Sequence, residues 1–453
     1  MQAIALAFCN RSTATSGSMQ TTASIDRFRL PIAIRALNKF GAMFNGKVSR
    51  RLTPDELIEI ATRRAGLNDF GDGDFREPLN RLLESCWRDA RLNVIGNIAL
   101  RSDLLRILRN RLFLQRDRQL HPQIGNHEIR SPLFVLGLPR TGTTFLHTLL
   151  SVDPENRAPL TWEVMEPSPP TKAEKHRRIR RTSQNLACLE WMAPNFRQLH
   201  PVGAHLPQEC VSLMSPTFLS DQFDTMYNVP GYREWFLEQD LQPAYAFHRR
   251  FLQHLQERKK RRRWVLKAPT HMFALPTLLS TYPDALFVQT HRAPIEAITS
   301  VSSLITILRR VFSDAVDPMK IGEEALHYWS SALDKFLLQR DRLSPERVLD
   351  VSYLELRRDP IGTVRCVYEY FGWPFSAPAE IRMRDVLAKQ PRDLHGFHRY
   401  EPAQFGLRPE HEQEFFSNYC ERFSVSSTLA RRSIKPVLPS APDESRFVHD
   451  RIG

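Results

Sequence analysis

Paired cysteines are missing from this chain. Six cysteines occur in 453 residues (Cys9, Cys86, Cys188, Cys210, Cys366 and Cys420), and no two form a C-x-x-C pair. A disulfide scaffold is therefore not expected, and reduced thiols in a cytoplasmic protein are the simpler reading. No apolar run approaches the length that spans a bilayer, so no transmembrane segment is expected. The first residues, MQAIALAFCNRSTATSGSM, carry a short apolar stretch with no basic region before it. They read as an untidy or disordered terminus over 1–24 rather than a secretory signal, and Met19 is an alternative start. Zinc-finger spacing and RNP motifs are also absent, so no specific nucleic-acid partner is expected.

Against these absences stands a hydrophobic content of 42%, enough to bury a sizeable core. Lys and Arg number 63 against 50 Asp and Glu, a formal net charge of +13. That excess suits an anionic ligand, an acidic acceptor or an anionic surface, without choosing among them.

Residues 25–130 read as helical. Thr53 before Pro54-Asp55-Glu56 is an N-cap followed by proline at the first helical position. Asn68 to Gly73 reads as a turn, with helical periodicity again from Pro78 through Leu92 and from Leu104 to Leu114. The pattern changes at Ser131. Leu133-Phe134-Val135-Leu136 is a short apolar run, as in a buried parallel strand, and similar runs occur at Trp264–Leu266, Leu286–Val288 and Val348–Val351. Helical segments lie between them, which predicts an α/β domain over 131–425 with a central parallel sheet covered on both faces. The stretch 166–263 reads as a mostly helical insertion over the carboxyl edge of that sheet, where ligands bind in such folds. Residues 426–453 read as a poorly ordered tail. The basic run Arg258–Arg263 reads as a solvated helix end.

The strand at Leu133 runs straight into Gly137-Leu138-Pro139-Arg140-Thr141-Gly142-Thr143-Thr144. A glycine-bearing turn between strand and helix leaves backbone N–H groups pointing outward, and the helix dipole adds to their pull on an anion. The loop lacks the lysine of G-x-x-x-x-G-K-[ST]; Thr143 stands there, and the basic residue is Arg140. No hydrophobic strand ends in a magnesium-binding aspartate either. A P-loop phosphotransferase or kinase-like enzyme would thus lack both its lysine and its metal ligand.

The loop PRTGTTFLH resembles the 5′-phosphosulfate loop of sulfotransferases. The resemblance extends to Arg292 and Ser300, eight residues apart, where the superfamily binds the 3′-phosphate of its donor with an arginine at a strand end and a serine in the following helix. It is similar in particular to the large bacterial branch through Asp69-Phe70-Gly71-Asp72, Trp162-Glu163, Pro207-Gln208-Glu209, Trp264–His271, Val351-Ser352-Tyr353 and Phe405-Gly406-Leu407. It therefore covers roughly residues 50–425. Two departures stand out: Ala293 replaces the usual aspartate after the arginine, at a cost of about 1 kcal/mol if that aspartate caps the helix, and Cys210 replaces a common second acid after Glu209.

The resemblance implies a P-loop three-layer sandwich and transfer of a sulfuryl group from 3′-phosphoadenosine 5′-phosphosulfate to a hydroxyl or amine. No metal is expected. The acceptor is a small molecule, a carbohydrate or a lipid, and a homo-oligomer is left open. Arg140, Thr141, Gly142, Thr143, Thr144, Arg292, Ser300 and Tyr353 are the expected donor-binding residues. Arg140 and Lys267 are candidates for stabilising charge, because sulfuryl transfer needs cations or N–H donors on the sulfuryl and bridging oxygens. The base is Glu163, His271, Glu209 or His205, with Glu163 and His271 placed first. The alternatives are the phosphotransferase above and an inactive donor-binding protein.

Overall fold

The computed structural model describes residues 30–43, 52–168, 172–193, 201–257, 262–389 and 401–425. The terminal stretch 1–24, the tail 426–453 and residues 258–261 of the basic run lie outside the described residues.

Four helices come first: α1 (Ile32–Met43), α2 (Pro54–Ala65), α3 (Arg76–Arg88) and α4 (Val94–Leu120). At α2 the Thr53 hydroxyl accepts from the Glu56 amide, and the Glu56 carboxylate accepts in return from the Thr53 amide, a reciprocal cap. The helix expected through Leu92 stops at Arg88, and α4 is far longer than the Leu104–Leu114 stripe suggested. Residues along its whole length are buried, among them Ile95, Leu100, Leu108, Leu112 and Leu114. A helix enclosed on several sides loses the one-sided periodicity that sequence reading relies on. The turn at Asp69–Gly73 is wrapped around Arg111 of α4, whose guanidinium donates to the carbonyls of Phe70, Asp72 and Gly73.

The sheet has five parallel strands, β1 (Leu133–Leu136), β2 (Asn156–Arg157), β3 (Arg263–Lys267), β4 (Leu286–His291) and β5 (Val348–Ser352), in the order β2-β3-β1-β4-β5. Between β1 and β2 lies α5 (Thr143–Ser151). Between β2 and β3 lie α6 (Thr161–Met165), α7 (Lys172–Met192), α8 (Cys210–Met214), α9 (Gln222–Met226), α10 (Pro230–Leu237) and α11 (Gln242–Gln256). The helix α12 (Leu275–Thr281) precedes β4, and α13 (Pro294–Phe312) and α14 (Pro318–Arg340) separate β4 from β5. After β5 come α15 (Tyr353–Arg358), α16 (Pro360–Tyr370), α17 (Ala377–Lys389) and α18 (Glu410–Phe423).

Both faces of the sheet are covered, which is why β1 is apolar at every position. Leu133 and Val135 pack with Leu146 and Leu149 of α5 and with Val364 of α16 on one face. Phe134 and Leu136 pack with Phe251 of α11 and Ile298 of α13 on the other. The α/β reading with a central parallel sheet is thus the observed architecture. β1 sits at the centre of the sheet, so the loop that follows it opens at the middle of the carboxyl edge. Among the described residues the five cysteines are all unbridged, and no helix is long and apolar enough to cross a membrane.

Candidate active site

The chain leaves β1 through Gly137, at φ 136°, where a Cβ would stand 2.6 Å from the Thr290 carbonyl of β4. Only glycine lets the two strand ends approach this closely. Arg140 adopts a left-handed backbone, φ 69°. The Thr141 hydroxyl donates to the Leu138 carbonyl at 2.7 Å and meets the Thr290 hydroxyl at 2.6 Å. Thr141 is fully buried, and its side chain braces the loop against β4. Gly142, φ 93°, immediately precedes α5. The first amides of that helix, on Thr143 and Thr144, have no acceptor within the helix and form the positive end of its dipole. Thr143 is buried and Thr144 partly exposed.

Four of the expected donor residues converge beside this loop. The Arg140 Nε donates to the Ser300 hydroxyl at 3.2 Å, and Arg292 Nη1 donates to the Arg140 carbonyl at 2.9 Å. The Arg292 guanidinium stacks 4.6 Å from the Tyr353 ring centre. That ring packs against Gly142, where a Cβ would lie 3.0 Å from its edge. Glu296, one turn along α13, holds the far side of Arg292 at 3.0 Å.

Behind Arg292 lies a brace that sequence reading did not single out. The Tyr419 hydroxyl accepts the Arg292 backbone amide and donates to His291 Nδ1 at 3.0 Å, while His291 Nε2 donates to Asp350 at 2.7 Å. Arg340 grips the same carboxylate at 2.7 and 2.6 Å. Those hydrogen bonds from His291 and Arg340 hold the Asp350 carboxyl well below the usual carboxylate range although burial opposes them. The missing cap at Ala293 is also compensated from outside: Glu412 of α18 accepts the buried Ile295 amide at 3.4 Å.

Lys267 ends β3 beside Val135 of β1 and is buried. Its ammonium donates to the Glu209 carboxylate, at the N-terminus of α8. Glu209 is brought there by an extended pairing: Gln208 donates its amide to Pro159 at 2.7 Å, and Thr161 donates to Leu206 at 3.0 Å. His147, on the sheet-facing side of α5, donates from Nε2 to the Val265 carbonyl at 3.0 Å. Burial pushes its pKa down to about 4, with the Lys267 charge adding to the effect. His147 therefore sits neutral beside the lysine. Its position four residues after Thr143, facing β3, is the only sign of it in the sequence.

The remaining base candidates are spread out. Glu163 is buried in α6, where its carboxylate accepts the Leu160 amide at 3.2 Å and faces Arg157 at 3.4 Å. His271 is completely buried in the 3₁₀ turn Pro269–Phe273. Its Nδ1 accepts from the Tyr245 hydroxyl at 2.7 Å and its ring meets Phe134 edge-on. Phe134 belongs to the core on the opposite face from Val265 and α5, and burial holds the imidazole well below its usual pKa. His205 is exposed. Of the four, Glu209 is the one in contact with Lys267.

The sulfotransferase family model matches residues 132–377, more than half of the chain. The chain belongs to the sulfotransferase family. Its relatives include the omega-hydroxy-beta-dihydromenaquinone-9 sulfotransferases Stf3 of Mycobacterium bovis and Mycobacterium tuberculosis, each 26% identical over 64% of this chain and 74% of the relative. Among solved structures, sulfotransferase STF1 from Mycobacterium tuberculosis H37Rv superposes with a TM-score of 0.72 at 34% identity, over 81% of this chain and 99% of that one. Sulfotransferase STF9 from Mycobacterium avium gives 0.73 at 28% identity, over 83% and 97%. This protein is accordingly a sulfotransferase, and its sheet order and helical cover are those of a family member.

Proposed function

We propose that this sulfotransferase takes its sulfuryl group from 3′-phosphoadenosine 5′-phosphosulfate and passes it to a hydroxyl or amine of a small-molecule, carbohydrate or lipid acceptor. The observation that carries the reading is the convergence of Arg140, Ser300, Arg292 and Tyr353 on the loop at Gly142. Two guanidinium groups, a hydroxyl, an aromatic face and the open end of α5 are a chemically apt set for a nucleotide that carries a second phosphate.

In this reading the amides at Gly142 to Thr144 hold the 5′ side, Arg292 and Ser300 hold the 3′-phosphate, and Tyr353 meets the adenine. The donor supplies an activated sulfuryl group whose leaving group is a phosphate. Lys267 and Arg140 neutralise charge that grows on the bridging oxygen. Glu209 takes the proton from the acceptor, because it touches Lys267 and so stands beside the group that marks the transfer site. Glu163 is assigned a holding role instead, as the partner of Arg157 and of the Leu160 amide. The menaquinone named for the Stf3 relatives makes a lipid the first acceptor class to try.

The test is a coupled assay of 3′-phosphoadenosine 5′-phosphate release with alcohols, amines, sugars and quinol lipids. Acceptor-dependent release supports the reading. Turnover of ATP in its place would transfer the chain to the phosphotransferase alternative.

A further inference from the structure

The helix α7 takes no part in the site described above, yet its sequence opens KAEKHRRIRR, six Lys or Arg in ten residues against one acid. Like charges fall three and four places apart along it, as at Arg177, Arg180 and Arg181. That spacing weakens a helix, so local stability does not account for it. The inner cations have partners. Arg178 is buried over the Trp162 ring of α6, 5.0 Å from its centre. Arg181 pairs with Glu166 at 3.1 Å, and Arg109 of α4 holds the same carboxylate at 3.0 Å. The outer cations do not. Lys175, Arg177 and Arg180 are exposed, and among the described residues Arg177 and Arg180 make no ion pair.

The exposed side chains form a line. Arg177, Arg180, Gln184, Ala187 and Trp191 stand alternately three and four residues apart, and all five are exposed. The line therefore runs from cations at one end of α7 to an indole at the other. Trp191 is 38% exposed, whereas the other six tryptophans of the chain are buried or half-buried. The basic run before β3 adds to this flank. Its Arg262 is exposed and stands close to Arg157, whose pKa is lowered by burial and further by the Arg262 charge. Arg157 faces Glu163 at 3.4 Å, and the neighbouring Trp162 ring lies 5.8 Å from the Lys175 ammonium. Arg262 and Lys175 thus stand on either side of α6.

We propose that the exposed face of α7, with Arg262 beside it, docks the protein on an anionic phospholipid bilayer. Lys and Arg meet anionic head groups, and a tryptophan settles at the head-group boundary, which is the pattern of a helix lying in a membrane interface. A soluble polyanion fits less well. Trp191 lies eleven residues beyond Arg180, about 16 Å along the axis, further than one base or sugar reaches from its own charge. A continuous lipid surface meets both ends of the line at once. α7 packs on α6, which follows β2 at the carboxyl edge where the donor loop opens. Docking through α7 therefore holds that edge beside the lipid. The proposal goes beyond sulfuryl transfer and rests on neither the donor nor the acceptor reading.

Sedimentation of the full chain tests it, with vesicles of phosphatidylcholine alone and of phosphatidylcholine and phosphatidylglycerol in a two-to-one ratio. The chain should bind the mixed vesicles and not the neutral ones, and should leave them as salt rises from about 0.1 M to about 1 M, where the Debye length falls from about 10 Å to about 3 Å. Lys175→Gln, Arg177→Gln and Arg180→Gln combined should melt like the parent and retain 3′-phosphoadenosine 5′-phosphate, because all three side chains are exposed. The same variant should partition about 10²-fold more weakly, at about fivefold for each cation lost. Vesicles carrying brominated lipid should quench the tryptophan fluorescence of the parent and not that of Trp191→Gln. Absence of binding to the mixed vesicles overturns the proposal. So does equal binding to the neutral ones, unchanged partition in the triple variant, or quenching that persists in Trp191→Gln. Heparin or single-stranded DNA binding more tightly than the mixed vesicles at equal charge would make the face a polyanion site and overturns it too. Donor binding is measured separately, so failure here leaves the donor reading intact.

Discussion

Arg292 donates from its guanidinium to the backbone carbonyl of Arg140, 2.9 Å away. One side chain thereby ties the end of β4 to the loop after β1, while Arg140 in turn reaches Ser300 on α13. The three residues act as a unit, and a phosphate between them would gain two guanidinium groups already held in place. Such preorganisation lowers the ordering cost of binding.

The first prediction follows from that unit. 3′-Phosphoadenosine 5′-phosphate should raise the melting temperature more than AMP does. Ser300→Ala should weaken 3′-phosphoadenosine 5′-phosphate by about tenfold, the usual worth of one hydrogen bond to a charged group, and leave AMP unchanged. Equal weakening of both nucleotides would remove Ser300 from the 3′-phosphate site.

The second concerns Lys267 and Glu209. Lys267→Ala should lower turnover much more than donor affinity if its charge matters chiefly in the transition state. Glu209→Gln should lower turnover by about 10²–10⁴-fold, the span of a lost general base, with 3′-phosphoadenosine 5′-phosphate still bound in calorimetry. Glu163→Gln should instead lower the melting temperature, because it leaves Arg157 buried beside a neutral amide. The reverse pattern, a stable but inactive Glu163→Gln and an active Glu209→Gln, would return the base to Glu163.

Much of this frame was legible in the sequence, and the reasons are local. β1, the loop and the start of α5 are contiguous, so their geometry follows from a handful of residues. β4, Arg292 and Ser300 are likewise one strand and one helix. What stayed hidden depends on chain segments far apart. Glu209 meets Lys267 across 58 residues, and Asp350 meets His291 across 59. β2 is two residues long, too short to give an alternating pattern. His271 looked like a base candidate just past a strand end. Burial and a local hydrogen bond, which one-dimensional patterns do not report, turn it inward.

A third prediction concerns acid. The Asp350 carboxyl is held below its ordinary range by His291 and Arg340. A depressed folded-state pKa contributes stability above the unfolded value, about 3.9 for aspartate, and loses it as pH falls through the folded value. Asp350→Asn should therefore be less stable than the parent at pH 7, and the gap should narrow below roughly pH 4. Denaturant unfolding across pH 3 to pH 7 measures it. A gap that stays constant with pH would mean that the ionised carboxylate is not what Asp350 contributes.

The last prediction separates two glycines with positive φ. Gly66 ends α2 at φ 65° with open space where a Cβ would be, whereas Gly137 has φ 136° and a Cβ there would meet the Thr290 carbonyl at 2.6 Å and the Thr141 hydroxyl at 2.9 Å. Gly66→Ala meets only the intrinsic strain of a left-handed residue, about 1–2 kcal/mol, and should leave donor binding untouched. Gly137→Ala adds a backbone collision that only a separation of β1 from β4 relieves. That movement breaks the 2.6 Å Thr141–Thr290 contact and shifts the Arg140 carbonyl away from Arg292. Stability and affinity for 3′-phosphoadenosine 5′-phosphate should then fall together, the latter by at least about tenfold. The two variants should be compared by thermal melt and calorimetry under one set of conditions. Normal donor affinity in a folded Gly137→Ala would show that the loop can move away from β4 without disturbing the phosphate site, and the role given to that close approach would be wrong.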